Sequence, residues 1–518
     1  MPLHASAREA LTEALAKSIV EISSSSLTTI SGLLALMLMQ FRLGYDLGMV
    51  LAKGIVCSLL TVFLLMPGLI MLFPRAIRRS AHRTLIPDIT PWGRFLTRSG
   101  YFFVWFFLLI IPAAVWCSGH AVYAFSDSQV SELVYSESRD AMHRISRTYD
   151  DSTPIALIVP AEDFEKEKAV LRQVEALPEI RSAVGLANIE IDEGHMLTDR
   201  YTPRMLAELL GVSPEEATLL FQAYGLQHEE YQAIFSSAET YEVPLIDMIL
   251  FLFDMSDRGV ITLDAETQER MDGLRDSLQM GVDQLRGENW NRMLFTAAVP
   301  VEGEQSIALV ERIRSIAESY YGKDSVLVVG DITSARDLRD SYTGDSRLIS
   351  ILTIVFVYMI LLFTFRSVIG SALLVFVIQG SIWINFSFSY LTGAVPSFVT
   401  SMIVSAIQMG ATIDYAIVLM NRYLVLRDSL PKKEAMAEAV NQAFPTVLTS
   451  GSIMTIAGLL IAYRVSDIYV GHIGLAVGRG AFCSVVLVLT VLPQLLMLFD
   501  KLIAKTTLRV DFTGGEDE

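Results

Sequence analysis

Asp414 is the side chain that most needs a chemical explanation. It lies in the run PSFVTSMIVSAIQMGATIDYAIVLMNRY, residues 396–423, which is otherwise almost free of charge. A span over 396–420 places Asp414 about 9 Å from the span centre at 1.5 Å per residue. A charged side chain that deep costs about 2.5–3.5 kcal/mol even on the lenient insertion scale, and loss of water penalises the ionised form. Such a carboxyl has two uses. It can take up and release a proton, or it can stay protonated and donate a hydrogen bond between helices. Thr400, Gly410 and Asn421 fall within about 40° of it on a 3.6-residue wheel, forming a narrow polar stripe. Gly410, one turn away, lets a neighbouring helix come close, and Tyr415 follows directly in sequence.

Hydroxyls and cations complete the inventory. One apolar run carries Ser23, Ser24, Ser25, Ser26, Thr28 and Thr29, and a distant one carries Thr446, Thr449, Ser450, Ser452 and Thr455. Hydroxyls in membrane helices commonly close interhelical hydrogen bonds; at matching places in two segments they also suit a proton or water path. Lys53 and Arg479 lie about half-way down their spans, where a cation either snorkels outward or pairs with a carboxylate. One expectation is that Arg479 pairs with ionised Asp414 and is released on protonation.

The elements that position these residues are membrane helices. The chain is 52% hydrophobic and 19% charged, against about 25% charged in soluble domains. Apolar blocks long enough to cross a core of about 30 Å predict eight spans, at 22–40, 46–73, 101–123, 346–365, 368–391, 396–420, 446–464 and 471–499. Cys57, Cys117 and Cys483 all fall inside them, so no disulfide framework is expected. Arg75, Arg78, Arg79, Arg83, Arg94 and Arg98 mark the second connection, and Arg422, Arg427, Lys432 and Lys433 the sixth, as cytoplasmic. Both termini then lie inside and 124–345 lies outside, in a cell (cytoplasmic) membrane.

A shift of 426 residues lays the first two spans on the last two. Ser26, Thr29, Ile30, Gly32, Leu33 and Leu34 meet identical residues at 452–460, and Gly48, Gly54, Cys57, Ser58, Val62 and Pro67 meet Gly474, Gly480, Cys483, Ser484, Val488 and Pro493. Sixteen of 48 positions are identical without a gap, which marks an internal repeat. Parallel repeats are a common plan of transporters, with the working site between the halves. The second copy is preceded by three spans and a large outer region. A complete molecule of this plan would have about twelve spans, so the chain reads as a truncated or split product.

The outer region holds 42 Asp and Glu against 19 Lys and Arg. That sign argues against nucleic acid as a partner. Strand-like runs at 154–160, 181–187, 292–299 and 325–329 flank amphipathic helix patterns at 163–177 and 305–321, which predicts a split βαβ, ferredoxin-like sheet. Between them, 200–288 reads as helical, with Ser213 and Asp264 as capping residues. His195 and His228 read as solvated surface residues. The region has no nucleophile elbow, phosphate loop or metal-ligand spacing, so no enzyme, cofactor or metal is expected.

Gly410-Ala411-Thr412-Ile413-Asp414-Tyr415 with Arg422 resembles the G-x-x-x-D-Y…R signature of the RND superfamily, specifically its MMPL branch of exporters. Phe363-Thr364-Phe365-Arg366-Ser367 resembles that family's F-R-S turn, and the segments ending at Pro67 and Pro493 resemble its last two spans in each half. The resemblance implies a polytopic α-helical membrane protein with an extracytoplasmic α+β, ferredoxin-like porter domain. In these terms 1–73 holds the last two spans of a first repeat, 74–100 a basic linker, 101–123 a span, 124–345 the porter domain, 346–499 a five-span bundle and 500–518 a tail. It further implies proton-driven export of lipids or other hydrophobic compounds, with the proton gradient as energy source. Asp414 and Tyr415 match the second of two relay pairs; the first has no counterpart here, and Ser25 and Ser26 would line the missing helix's site. The implied partners are a hydrophobic substrate, membrane lipids, a companion chain supplying first-half spans, and further copies in a homo-oligomer. Sterol-sensing receptors share this architecture, so a regulatory membrane protein is the alternative.

Overall fold

The computed structural model describes residues 7–40, 42–79, 87–133, 137–149, 152–161, 163–192, 195–210, 212–227, 241–259, 275, 278–279 and 281–507. In chain order the principal elements are helices α1 (Ala7–Leu36), α2 (Arg42–Leu60), α3 (Met66–Leu72), α4 (Thr90–Arg98) and α5 (Phe102–Gly119), then β1 (Thr153–Pro160), α6 (Phe164–Glu175), β2 (Ile180–Val184), β3 (Trp290–Ala297), α7 (Glu304–Tyr321) and β4 (Leu327–Gly330). Helices α8 (Asp331–Phe365), α9 (Val368–Thr392), α10 (Phe398–Arg427), α11 (Lys432–Arg464), α12 (Ile468–Leu498) and α13 (Asp500–Thr506) follow. The chain divides into two compact units, one of residues 1–140 and 338–518, the other of 141–337.

Among the described residues seven helical segments are long and apolar enough to cross a membrane: 44–72, α5, and α8 to α12. The chain is therefore a multi-pass membrane protein. The expected first span is the exception. Its apolar part, Ile22–Leu36, hydroxyl-bearing turns included, covers about 22 Å at the helical rise, against a core of about 30 Å, because the helix ends at Leu36. The segment 44–72 is continuous but not regular: a π turn over Thr61–Leu65 joins α2 to α3, where Pro67 enters the first turn and removes a backbone donor.

The core of the helical unit is an apolar mass centred on α9, α10 and α12, including Leu374, Ile378, Val404, Ile413, Leu419, Val488 and Leu492. Helices α1 and α2 join through a second cluster, in which Leu33, Leu36 and Ala52 meet Ile349, Met402 and Ala406. Between α4 and α5 the chain turns sharply through Gly100 and Tyr101, both at positive φ. The fully buried Gln494 holds that corner. Its side-chain oxygen accepts from the Phe103 and Val104 amides at 3.1 and 3.3 Å, and its nitrogen donates to Leu96 O and Ser99 Oγ at 3.0 and 2.6 Å.

The second unit carries an antiparallel four-stranded sheet in the order β2-β3-β1-β4, the ferredoxin-like arrangement expected from two strand–helix–strand units. Strand β1 runs against β3 from Thr153 opposite Ala297 to Pro160 opposite Trp290. Its alternation sends Ile155, Leu157 and Val159 into the core with Val170, Leu171 and Ile313 of the covering helices. Asp163 caps α6 by accepting from the Glu165 amide at 3.0 Å. The described part of the insertion is largely helical, at Pro203–Leu210, Pro214–Gln227 and Leu245–Asp257. Ser213 and Glu216 form a reciprocal cap there, at 2.9 and 3.2 Å. His195 is exposed and touches the Tyr201 hydroxyl at 2.6 Å; His228 and Asp264 lie outside the described residues. Among the described residues of this unit one carboxyl is fully inside: Glu167, 1% exposed, accepts from Ala187 N–H at 3.1 Å and Asn291 Nδ2 at 3.0 Å. Burial pushes its pKa up.

Candidate functional site

Helix α10 brings Asp414 against α1. The contact is made possible by Gly410: a Cβ there would lie 2.7 Å from the Thr29 Cα, so any side chain would push α1 away. With the backbones this close, Thr29 Oγ1 donates to Gly410 O at 3.0 Å, and Ser25 Oγ donates to Asp414 Oδ2. Thr28 and Thr29 also reach back to Ser25 O, at 2.7 and 3.1 Å. The other carboxyl oxygen, Oδ1, is shielded and has no hydrogen-bond partner among the described residues. The carboxyl is therefore half satisfied. Such a group can hold a proton on one oxygen while the other accepts a hydroxyl, and can lose that proton without disturbing the Ser25 bond.

The other expected site residues disperse. Tyr415 is next in sequence, about 100° round the helix, and turns to α11: its hydroxyl lies 3.7 Å from Met454 Sδ, with the Ser450 side chain beside it. Ser26 is half-buried and one residue past Ser25, so it points to a different side of α1. Thr449 is exposed and donates to Pro445 O of its own helix at 2.6 Å, a common fate of a membrane threonine. Lys53 is exposed on α2.

Arg479 does not make the contact expected of it. Its Nε donates to Asn385 Oδ1 at 2.8 Å, and its guanidinium stacks over the Phe388 ring at 4.9 Å. Asn385 belongs to α9, so the cation is held at the α9–α12 seam, whereas Asp414 faces α1. A neutral amide and an aromatic face disperse its charge without a carboxylate.

That contact opens on a polar network which the sequence reading missed. Asn385 Nδ2 donates to Gln408 Oε1 at 2.9 Å and to Ala476 O at 2.8 Å. Gln408 Nε2 lies 3.0 Å from Ser381 Oγ, 3.2 Å from Gly480 O and 3.4 Å from Ser484 Oγ. Ser484 in turn donates to Thr412 at 3.0 Å. All of these side chains are within 1% of fully buried. Two amides in apolar spans were the available signal, since polar residues inside membrane helices are glue or function. Gly480 makes room for them: a Cβ there would sit 2.3 Å from Gln408 Oε1. The network lies on the side of α10 away from Asp414, so that helix carries one open polar face and one closed polar face.

Two further features bear on α10. At one end, the Tyr423 hydroxyl donates to Asp500 Oδ1 at 2.5 Å and Arg427 binds the same carboxylate at 3.3 Å, tying the helix to α13. At the other end, Phe398 N donates to Ala124 O at 3.0 Å. Near that second end lies a cavity of about 400 Å³, lined by Tyr123, Tyr342, Ser346, Gln379, Trp383 and Ser401 among others. Tyr342 and Ser401 hydrogen-bond at 2.9 Å in its wall.

Known proteins bear on this arrangement. The model of the MMPL family matches residues 1–105 and 290–507, more than half of the chain. Membrane protein ActII-3 of Streptomyces coelicolor is 28% identical over 181 residues, which cover 34% of this chain and 25% of that protein. Membrane protein SCO5905 of the same organism is 26% identical over 235 residues, 42% of this chain and 26% of its own length. These matches span about a quarter of either relative. Among solved structures, SecDF in its super-membrane-facing form aligns with a TM-score of 0.46 at 12% identity, covering 95% of this chain and 50% of that one. The matched segments take in α1, α2, α10 and the Asp414 motif, and on that footing the chain belongs to the MMPL family.

Proposed function

We propose that this chain serves proton-coupled, secondary active export of the RND type across the cytoplasmic membrane, and that Asp414 is the proton carrier. The observation that carries the reading is the half-satisfied carboxyl. Oδ2 is held by Ser25 of α1, while Oδ1 is enclosed without a partner among the described residues. Unpaired buried acceptors are expensive, and taking up a proton relieves the expense. Gain and loss of that proton change the attraction between α10 and α1, which biases the bundle between two packings. Tyr415 and Ser450 extend the polar path towards α11.

The substrate in this reading is a lipid or other hydrophobic compound, a class that membership of the MMPL family supports. The cavity near Trp383 and Tyr342 falls within the usual range for small-molecule sites, about 300–1,000 Å³, and offers hydroxyls beside aromatic surface. In this reading both termini are cytoplasmic and the acidic unit is extracytoplasmic, as the distribution of Arg and Lys favours.

The test uses inverted membrane vesicles from cells expressing the protein at its natural level with its natural partners. With an acid interior imposed, wild-type vesicles should accumulate a fluorescent hydrophobic reporter, and Asp414→Asn vesicles should not, at equal protein in the membrane. Uptake by Asp414→Asn equal to that of the wild type would remove the proton role.

A further inference from the structure

Helix α4 is fixed to the helical unit on one side and furnished for an anion on the other. Its buried residues are Gly93 and Leu96. A Cβ on Gly93 would lie 2.7 Å from Ala437 O of α11, so α4 rests directly on that helix. Ile89 N donates to Asn441 Oδ1 at 3.0 Å, and Trp92 Nε1 to Leu489 O at 3.3 Å. At the far end Tyr101 holds a positive φ, which non-glycine residues seldom adopt, and Gln494 locks the corner. The direction in which α4 meets α5 is therefore imposed by the fold against local backbone preference.

The side turned away from α11 carries Arg94 and Arg98, both exposed and about 40° apart on the helical wheel. Like charges four residues apart repel, and neither arginine has a salt-bridge partner among the described residues. Two nearby acids are engaged elsewhere. Asp88 Oδ1 accepts from the Thr90 amide and hydroxyl at 2.9 and 2.6 Å, and Glu438, next to Ala437, accepts from Gln442 Nε2 at 2.8 Å. Beside the arginines runs a ridge of rings. Phe95 lies 5.4 Å from Trp92 and 6.4 Å from Phe103; Phe103 lies 5.5 Å from Phe102, which stacks on Phe106 at 6.1 Å. Phe95, Phe102 and Phe106 are exposed, and Trp105 and Leu109 extend that surface along α5. The ridge thus leads from two guanidinium groups onto the flank of a helix long and apolar enough to cross a membrane.

We propose that the α4–α5 corner is a binding site for one anionic phospholipid, its phosphate held between Arg94 and Arg98 and an acyl chain laid along Phe95, Phe102 and Phe106. Guanidinium forks match phosphate oxygens in geometry as well as charge, and aromatic rings favour the level of the head groups. A free phosphate ion would use the arginines and leave the ridge bare. An acyl chain follows the ridge because it continues along α5. The bound lipid clamps α4 in place at the corner that Gln494 already fixes. The inference is independent of the proton role of Asp414 and of the leaflet that this end of the bundle meets.

The experiment reconstitutes the full chain in nanodiscs of phosphatidylcholine and phosphatidylglycerol, releases it into detergent, and identifies the retained lipid by native mass spectrometry. Wild type should prefer phosphatidylglycerol by about thirtyfold, at about fivefold for each arginine. The preference should fall to about fivefold in Arg94→Gln and vanish in Arg94→Gln/Arg98→Gln. Both side chains are exposed, so an unchanged melting temperature in phosphatidylcholine alone checks that the variants fold. Lys501→Gln/Lys505→Gln removes an exposed basic pair from α13 and should leave the preference intact. Equal loss in that variant would show diffuse attraction rather than a site and would overturn the proposal. So would a wild type without preference, a double variant that keeps it, or retention of glycerol phosphate, the head group without chains, equal to that of the lipid.

Discussion

The segment 44–72 and helix α12 share glycine, cysteine, serine and proline at the same places, yet the outer face of one is bare and the other is at the centre of the helical unit. The difference shows that the same small and polar residues are buried or bare according to what packs above them. Gly480 and Ser484 are buried because Gln408 and Asn385 arrive above them. Gly54 and Ser58 are exposed, and among the described residues nothing lies within 4 Å of a Cβ on Gly54. Small residues let backbones approach, and amides lock the approach once made.

The largest expected effect comes from filling the two equivalent glycines. Gly480→Leu collides with Gln408 and Asn385 and breaks a buried network, so it should cost about 3 kcal/mol or more, read as lost thermal stability in detergent. Gly54→Leu in the same purified chain should change stability by less than about 0.5 kcal/mol. Equal losses would break the comparison. Next comes Gln408→Leu, which leaves Asn385, Ser381 and Ser484 short of partners and should cost about 1–3 kcal/mol on the same melt. Gly410→Ala tests the close approach of α10 to α1. It should part α1 from α10, abolish the Thr29 bond and cost about 1–2 kcal/mol, with faster hydrogen exchange confined to α1.

The smallest effect belongs to a control outside both copies. Burial holds the folded-state pKa of Glu167 above its unfolded value, while the Ala187 amide and Asn291 act against that shift. The contribution of Glu167 is then most favourable below the unfolded value and is lost as pH rises through the folded one. Glu167→Gln should slow hydrogen exchange of β1 and β3 relative to the wild type at pH 8, and should lose that advantage at pH 4. Changes in α12 protection in the same experiment would show that the helical unit responds as well.

Much of this architecture was legible before any coordinates. The membrane helices followed from apolar length, the ferredoxin-like sheet from two strand–helix–strand patterns, and Asp414 from its cost. Ser25 was expected only among hydroxyls lining the missing helix's site; its bond to Asp414 follows from the close approach of α1 to α10 at Gly410 and Thr29. For Arg479 the sequence left snorkelling and pairing with Asp414 both open, and packing supplies another answer, an amide and a phenyl ring at half burial. Gln408 and Asn385 escaped notice because each is a single neutral residue in an apolar run, and only packing reveals that they meet. The apolar part of the first span is shorter than the expected 22–40, because the helix that carries it ends at Leu36.

The clasp of Tyr423 and Arg427 on Asp500 makes α10 a lever with a fixed fulcrum. Asp414 lies nine residues from Tyr423 and Ser397 lies 26, about 13 and 39 Å along the axis. A tilt that moves the carboxyl by a given amount therefore swings the far tip about three times as far. That tip is joined through Phe398 to the backbone at Ala124, so any tilt about the clasp would be felt most at the wall of the neighbouring cavity.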